Sequence, residues 1–581
     1  MTRSLILRVA AIFLSAAVPA AGCSAKPPSV APSPPTSSSS SRPITPVGTP
    51  PVLPSAVPAD VTLQVADAAL RRPIVVDLVP TPSGFALLGY DADADGPAGR
   101  FLVSGSPDGR SWSRLTAGAT GPAFTFLTAG PLGWIASSDE IVGADQLTEL
   151  WFSADGKGWD RVPDQAGLST SNLSGGERNP LSAGPTGFAI VGQTLEGGSS
   201  VTAVWVSPDG RSWTEARALH GHDVGRVIAT TVGFVAYSTS CCAGVGTAFF
   251  SPDGLTWRDL SADAGAPFDP NAGGALIASV GSTLVVLRAG GDGTIEAFSA
   301  DLSGVAGNAP ATWRRDEASL EAFAGSGLSS LAGGSGGAVA IGFDRTSLDA
   351  VVWTSTDGRS WTRRSIVGDP FSGGVPGIVA AGSSDGVPAF VAIADRSNET
   401  GAVRPQLWRS DDGASWAAAG DDLLGALPVV ATGPCPSPAP TAVDGFLAMT
   451  PSLWPACFGH ARLTVRGIVE ACECGGTTSE AATPSWLIDP LGLSAFYLRG
   501  PIVPAATGPG GFGVMIDPAH PVTAPNPGTE VELTGHFDDP AAATCRISPL
   551  PGAFGRVRPR AQSVALCRQA FVAEAIRIVH H

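Results

Sequence analysis

The stretch "SPDGRSW" stands at Ser106–Trp112 and again, letter for letter, at Ser207–Trp213. Four variants complete a set of six: "SADGKGW" at Ser153–Trp159, "SPDGLTW" at Ser251–Trp257, "STDGRSW" at Ser355–Trp361 and "SDDGASW" at Ser410–Trp416. Four positions hold throughout. They are Ser106, Asp108, Gly109 and Trp112; Ser153, Asp155, Gly156 and Trp159; Ser207, Asp209, Gly210 and Trp213; Ser251, Asp253, Gly254 and Trp257; Ser355, Asp357, Gly358 and Trp361; Ser410, Asp412, Gly413 and Trp416. A phrase written six times is either six ligand sites or six pieces of frame.

The surroundings of the phrase decide between them. Roughly 20 residues earlier comes a strand of small and apolar residues, and the unit recurs at a period of about 50, which marks a solenoid or a propeller. These strands are "GFALLG" from Gly84, "GWIASS" from Gly133, "GFAIVG" from Gly187, "GFVAYS" from Gly233, "STLVVL" from Ser282, "GAVAIG" from Gly337 and "PAFVAI" from Pro388. Each unit parses into four short strands with Gly-rich turns and no helical period, as in a propeller blade. The phrase falls between the third and fourth strands, where it is a hairpin turn. Gly takes positive φ without steric cost, and Asp and Ser bond nearby backbone N–H groups. The Trp ring then covers the turn and the blade seam. The fifth unit is degenerate, with Ser299 and Asp301 in place but a swollen turn before Trp313. Past the last phrase, "LPVVATGP" and "DGFLAMT" (Asp444–Thr450) read like the opening of another unit but lack a phrase. The expected fold is all-β: a seven-bladed propeller over 59–430, with an eight-bladed ring as the alternative.

The phrase resembles the Asp-box of the sialidase and BNR-repeat propellers, Ser-x-Asp-x-Gly-x-x-Trp, with the turn one residue shorter because Gly109 directly follows Asp108. The resemblance implies boxes on the blade periphery that serve folding. One carboxylate per turn is too few for calcium, which takes six to eight oxygens. Sialidases would also need three clustered Arg for a carboxylate, a Tyr–Glu nucleophile pair and an acid/base Asp. The chain offers "LRRP" at Leu70–Pro73, where Arg71 and Arg72 read as a solvated edge, and three tyrosines, Tyr90, Tyr237 and Tyr497. The acid pairs Asp91–Asp93 and Asp411–Asp412 fall in loops or turns. No catalytic residue, metal or cofactor is expected.

The amino terminus reads "MTRSLILRVAAIFLSAAVPAAGC". Arg3 and Arg8 precede a short apolar run, the pattern of a secretory signal rather than a spanning helix. "AAGC" resembles a bacterial lipobox, which implies lipidation of Cys23 after cleavage of 1–23. Residues 24–58 are dominated by Pro and Ser and form an extended tether. The expectation is an extracytoplasmic protein held to the membrane by its N-terminal lipid only. A net charge of −16 excludes nucleic acid as a partner. Charged residues make up only 15%, while Gly (73) and Pro (51) abound, in keeping with turn-rich β structure.

Nine Cys leave eight once Cys23 is set aside, and an exported chain pairs them. Cys241 and Cys242 are adjacent, and a vicinal disulfide is expected. Cys435, Cys457, Cys472, Cys474, Cys545 and Cys567 lie in 431–581. Cys545 and Cys567 flank one insertion and are expected to pair, leaving Cys435 and Cys457 to meet Cys472 and Cys474. A zinc site from Cys457, His460, Cys472 and Cys474 is the less favoured alternative. Five strand-like segments there, "ARLTVRGIVEA", "GLSAFYLRG", "GFGVMID", "TEVELTGHF" and "QAFVAEAIRIV", resemble a small disulfide-rich OB-like barrel. Two clusters invite a metal or acid–base reading: His220 with His222 and Asp223, and His536 with Asp538, Asp539, Cys545 and Arg546. Both read better as structured loops, with Asp538 capping the turn that follows. The framework repeats while the loops vary, and variable loops on a fixed frame are where binding lives. The expected role is therefore a non-catalytic binding propeller for an envelope protein or carbohydrate. A sialidase-like hydrolase is the alternative, and an envelope assembly factor a further one.

Overall fold

The structure, a computed structural model, describes residues 73–579 except 92–99, 116–123, 143–144, 164–178, 197–198, 221, 223, 239–245, 270–273, 291, 306–308, 367, 369, 385–386, 398–402, 425–434, 450–452, 470–494, 500–511, 517–524, 527 and 546–556. Cys23, the tether, Arg71, Arg72, Asp93, Asp223, Cys241, Cys242, Cys472, Cys474 and Arg546 lie outside the described residues.

Seven four-stranded antiparallel sheets follow one another along the chain. Blade one runs from Pro73 to Arg114, blade two from Phe124 to Arg161, blade three from Leu181 to Glu215 and blade four from Arg226 to Asp259. Blades five, six and seven run from Ala275 to Arg315, from Ser326 to Arg364 and from Ile378 to Ala419. The first strands of successive blades pack against one another, and that of blade seven packs against that of blade one. The ring therefore closes at seven, with the first strands around the axis.

The second strands show why the chain folds this way. In Gly187–Glu196, Phe188 and Ile190 enter a core shared with blade two, including Ile135 and Phe152. Ala189 and Val191 enter the opposite core, shared with Val227 and Phe234 of blade four. Both faces are buried over residues 187–192, so that part of the strand is apolar and small rather than alternating. Each fully buried large side chain contributes about 1.5–3 kcal/mol.

The phrases are turns, as expected. In the third, Ser207 Oγ donates to Asp209 Oδ1 (3.0 Å), Gly210 N donates to Ser207 Oγ (2.8 Å), and Arg211 N and Ser212 N donate to Asp209 Oδ1 (2.8 and 2.7 Å). The N–H groups of Ser212 and Arg211 hold the Asp209 carboxyl below its ordinary range. Trp213 Nε1 donates to Gly210 O at 3.3 Å. The turn also serves the neighbouring blade. Gly210 has φ 74°, and a Cβ there would lie 2.5 Å from Phe152 of blade two. The glycines of the other phrases likewise face the blade before: Gly109 meets Val391, Gly254 meets Val206 and Gly358 meets Val285. Across the closure, Arg409 Nε donates to Asp108 O (2.6 Å) and Arg110 pairs with Asp411 (2.7 Å). In the degenerate fifth unit, Asp301 accepts from Ser282 Oγ and Ser303 N instead, and Trp313 packs edge-on against Phe268.

Five strands after the propeller close a barrel in the spatial order Leu463–Val469, Ala495–Arg499, Phe512–Ile516, Phe571–Ile578, Glu530–His536. Phe512–Ile516 and Phe571–Ile578 run parallel; the other pairs are antiparallel. The segment that resembled another blade is instead a short helix, Val443–Leu447, followed by Leu453–Phe458. These helices drive Phe446, Trp454 and Phe458 into the barrel core beside Phe512, Phe537 and Phe571. Apolar spacing alone did not distinguish a plugging helix from a strand. Cys545 bonds Cys567 as expected. Cys435 bonds Cys457, not Cys472 or Cys474, because the plug helices bring their Cα atoms to 5.3 Å. That bond leaves Cys457 no thiolate for zinc. Among the described residues no helix is long and apolar enough to cross a membrane.

Candidate functional site

The axis of the ring is a channel with a cavity of about 240 Å³, and the first strands of all seven blades contribute to its wall. Most of that wall is small or apolar. Three side chains break the pattern: Asp77 on the first strand of blade one, Asn179 just before that of blade three, and Arg226 at the start of that of blade four.

A bulge between Val75 and Asp77 shifts the register there, and bulges re-aim side chains. The Asp77 carboxylate accepts from Leu78 N (2.9 Å), from Leu127 N of blade two (3.5 Å) and from Asn179 Nδ2 (2.5 Å). Asn179 Nδ2 also donates to Leu127 O (2.5 Å), and its Oδ1 accepts from Leu181 N (2.8 Å). Three blades are thereby tied at one point, and the amide orientation is fixed. Burial pushes the Asp77 carboxyl up from 3.8 to about 6, against the opposing effects of its backbone hydrogen bonds and the Arg226 charge. Arg226 Nε is buried without a hydrogen-bond partner. Burying a guanidinium nitrogen unsatisfied is costly. The arrangement presents a cation, a carboxyl raised to about 6 and a locked amide to anything that enters. Two further polar groups on the wall are already engaged: Ser182 Oγ accepts from Ala229 N (2.7 Å) and Ser279 Oγ donates to Ala229 O (3.2 Å).

The residues singled out in the sequence lie elsewhere. The boxes sit in the outer hairpins of the blades. Tyr237 is buried in the core between blades four and five, and Tyr90 is half-buried at the far end of its strand. Asp411 is engaged by Arg110 and Arg409 (2.7 and 2.5 Å) and Asp412 by its own turn, so that acid pair is structural. His220 turns to Glu215 (2.5 Å), while His222 packs on Phe249; the two rings do not converge on a metal. Asp538 pairs with Arg568 rather than capping the following turn. His536 Nδ1 contacts Phe537 O (3.0 Å), and its Nε2 lies 3.9 Å from both Asp539 and Glu574. Among the described residues no group of three or more His, Cys, Asp or Glu has the geometry to hold a metal ion. Asp77, Asn179 and Arg226 went unnoticed in the sequence. Asp77 and Arg226 leave one signal, a lone charged residue interrupting an apolar inner strand, as in "IVVDLV" and "GRVIAT"; Asn179 leaves none.

No family model matches the chain. No curated protein matches it either. Solved structures similar to it include a prolyl endopeptidase, with 16% identity and a TM-score of 0.42 over 60% of this chain and 48% of that one. The acylaminoacyl peptidase of Pyrococcus horikoshii follows at 10% identity and TM-score 0.40, over 60% and 52%. The β-propeller domain of the trilobed protease from Pyrococcus furiosus is covered to 98% of its length by 60% of this chain, at 9% identity and TM-score 0.35. The chain spans about half the length of the first two. At these identities the likeness concerns the β-propeller fold alone.

Proposed function

We propose that the chain is a cell-envelope lipoprotein whose propeller is a non-catalytic binding module. In this reading the six phrases are Asp-boxes of the BNR type, the C-terminal domain is an OB-like barrel, and lipidated Cys23 with the 24–58 tether holds both at the membrane. The observation that carries the reading is the polar group in the axial channel: Arg226, with a partnerless buried Nε, beside Asp77 and Asn179 in an otherwise small and apolar wall. A cavity of about 240 Å³ has room for one sugar-sized end group of an envelope carbohydrate. Arg226 would take an acidic group or a pair of hydroxyls, and Asp77 and Asn179 would bond the remaining hydroxyls.

Binding is favoured over sialidase-type hydrolysis by what the channel wall carries. Among the described residues it has one arginine and one carboxylate and no tyrosine, whereas the hydrolase needs three arginines and a Tyr–Glu pair. The experiment is retention without turnover. The purified protein is mixed with solubilised envelope glycan and ultrafiltered. The expected result is glycan of unchanged mass held back by the wild type and released by Arg226→Gln. Appearance of cleaved product, or retention unaffected by Arg226→Gln, contradicts the proposal.

A further inference from the structure

A second cavity, of about 560 Å³, lies away from the axis, where the outer edge of blade six meets the C-terminal domain. Its walls come from fixed elements. The outer strand Thr362–Arg364 supplies Arg363 and Arg364, the turn Pro370–Gly373 closes one side, and the helix Arg560–Gln569 begins at the opposite side with Arg560. The two domains are in contact beside it. Val375 N donates to Val557 O (2.9 Å), and Val557 is buried in the core that holds Phe371 and Trp416.

The charge of this pocket is opposite to that of the chain. Three guanidiniums line it, and Asp349 is the one carboxylate among its described lining residues, in a protein of net charge −16. Asp349 holds Arg560 at 3.1 Å, while Arg363 reaches Asp344 only at 3.6 Å. Arg364 is anchored through Nε to Thr354 Oγ1 (2.7 Å) and has no ion-pair partner among the described residues. The anchor restrains the guanidinium of a residue that lines the cavity. Three like charges around one crevice repel one another, and an anion between them removes that repulsion. The fork of donors on each Arg matches phosphate oxygens. Two of the forks come from one strand and the third from the facing helix, so an anion with several oxygens, such as phosphate, can be met from two sides. The first turn of the Arg560–Gln569 helix adds a field of the same sign.

We propose that this interdomain pocket binds a phosphate-bearing ligand, with Arg363, Arg364 and Arg560 as its phosphoryl ligands. The site is independent of the axial channel. Two sources share the chemistry, a soluble phosphorylated molecule and the headgroup of an anionic phospholipid, and one experiment separates them. The purified protein is titrated with inorganic pyrophosphate and, in parallel, with phosphatidylglycerol vesicles against phosphatidylcholine vesicles. Arg364→Gln and Arg560→Gln are each expected to weaken binding about tenfold, the loss of one charge-assisted fork. Arg364→Lys keeps the charge and recovers part of the loss. Arg110→Gln, at the blade one–seven closure, leaves binding unchanged. All variants are compared at equal thermal stability, and Arg363→Gln stands in for any that does not fold. Saturable pyrophosphate binding that Arg364→Gln weakens supports the site with a soluble source. Binding confined to phosphatidylglycerol vesicles and weakened by the same variant supports it with a lipid source. No saturable binding to either probe, or binding indifferent to Arg364→Gln and Arg560→Gln together, overturns it.

Discussion

Asp77→Asn isolates the electrostatic cost of the axial site. In the folded chain burial raises the Asp77 carboxyl from 3.8 to about 6. Between those values the folded chain holds its proton more tightly than the unfolded chain does. Stability therefore falls as pH rises through this window; the loss is absent below 3.8 and complete above about 6. At 1.36 kcal/mol for each pH unit, the gap amounts to about 3 kcal/mol. Asn keeps the shape and carries no charge. It loses one hydrogen bond, that from Leu78 N, when its Nδ2 takes the place of Oδ1; the opposite orientation would lose two, from Leu127 N and Asn179 Nδ2, and is disfavoured. That loss, about 1 kcal/mol, is the same at every pH. The assay is urea unfolding of the propeller, followed by tryptophan fluorescence at pH 4 and pH 7.5 for wild type and variant. The stability difference should move in favour of Asp77→Asn by about 2–3 kcal/mol from the lower to the higher pH. Parallel pH profiles would refute the burial argument.

Three further outcomes test the frame. Gly210→Ala forces a side chain into positive φ and against Phe152, and should cost the propeller about 2–4 kcal/mol, read as a lowered urea midpoint. Asp209→Ala removes the acceptor for Arg211 N and Ser212 N; with the turn exposed, thermal unfolding should show a loss of only about 1 kcal/mol. Because the native turn holds that carboxyl below its ordinary range, this contribution is present at neutral pH and lost as pH falls through the lowered value. Reducing the Cys435–Cys457 and Cys545–Cys567 bonds, each closing 22 residues, should destabilise the barrel by about 3 kcal/mol per bond while the propeller transition stays in place. A propeller transition that moves equally would mean that the two domains unfold as one.

The ring was legible because one turn demands the same residues every time: a glycine at positive φ, an acceptor carboxylate and a covering Trp. What the phrase could not reveal is the direction in which its glycine faces. Gly210 against Phe152 and Gly254 against Val206 are contacts with the preceding blade, and they appear only once the ring has closed. The axial group was hidden for the same reason. Asp77, Asn179 and Arg226 lie on three separate blades, and no local pattern joins residues that meet through closure. A lone Asp in an apolar strand reads as a mishap until its partners are known. In the barrel, five strands were readable from alternation, but the plug helices that pair Cys435 with Cys457 were not. Phe446, Trp454 and Phe458 repeat at spacings that serve a strand or a helix equally well.

The central claim is that the channel binds a carbohydrate end group through Arg226. Isothermal titration of a panel of acidic and neutral mono- and disaccharides into the wild type, Arg226→Gln and Asp77→Asn tests it most directly. The expected result is saturable binding of at least one acidic sugar to the wild type, weakened at least about tenfold in Arg226→Gln, the loss of a charge-assisted contact. Binding that is equal in all three proteins, or absent from the wild type across the panel, would contradict it.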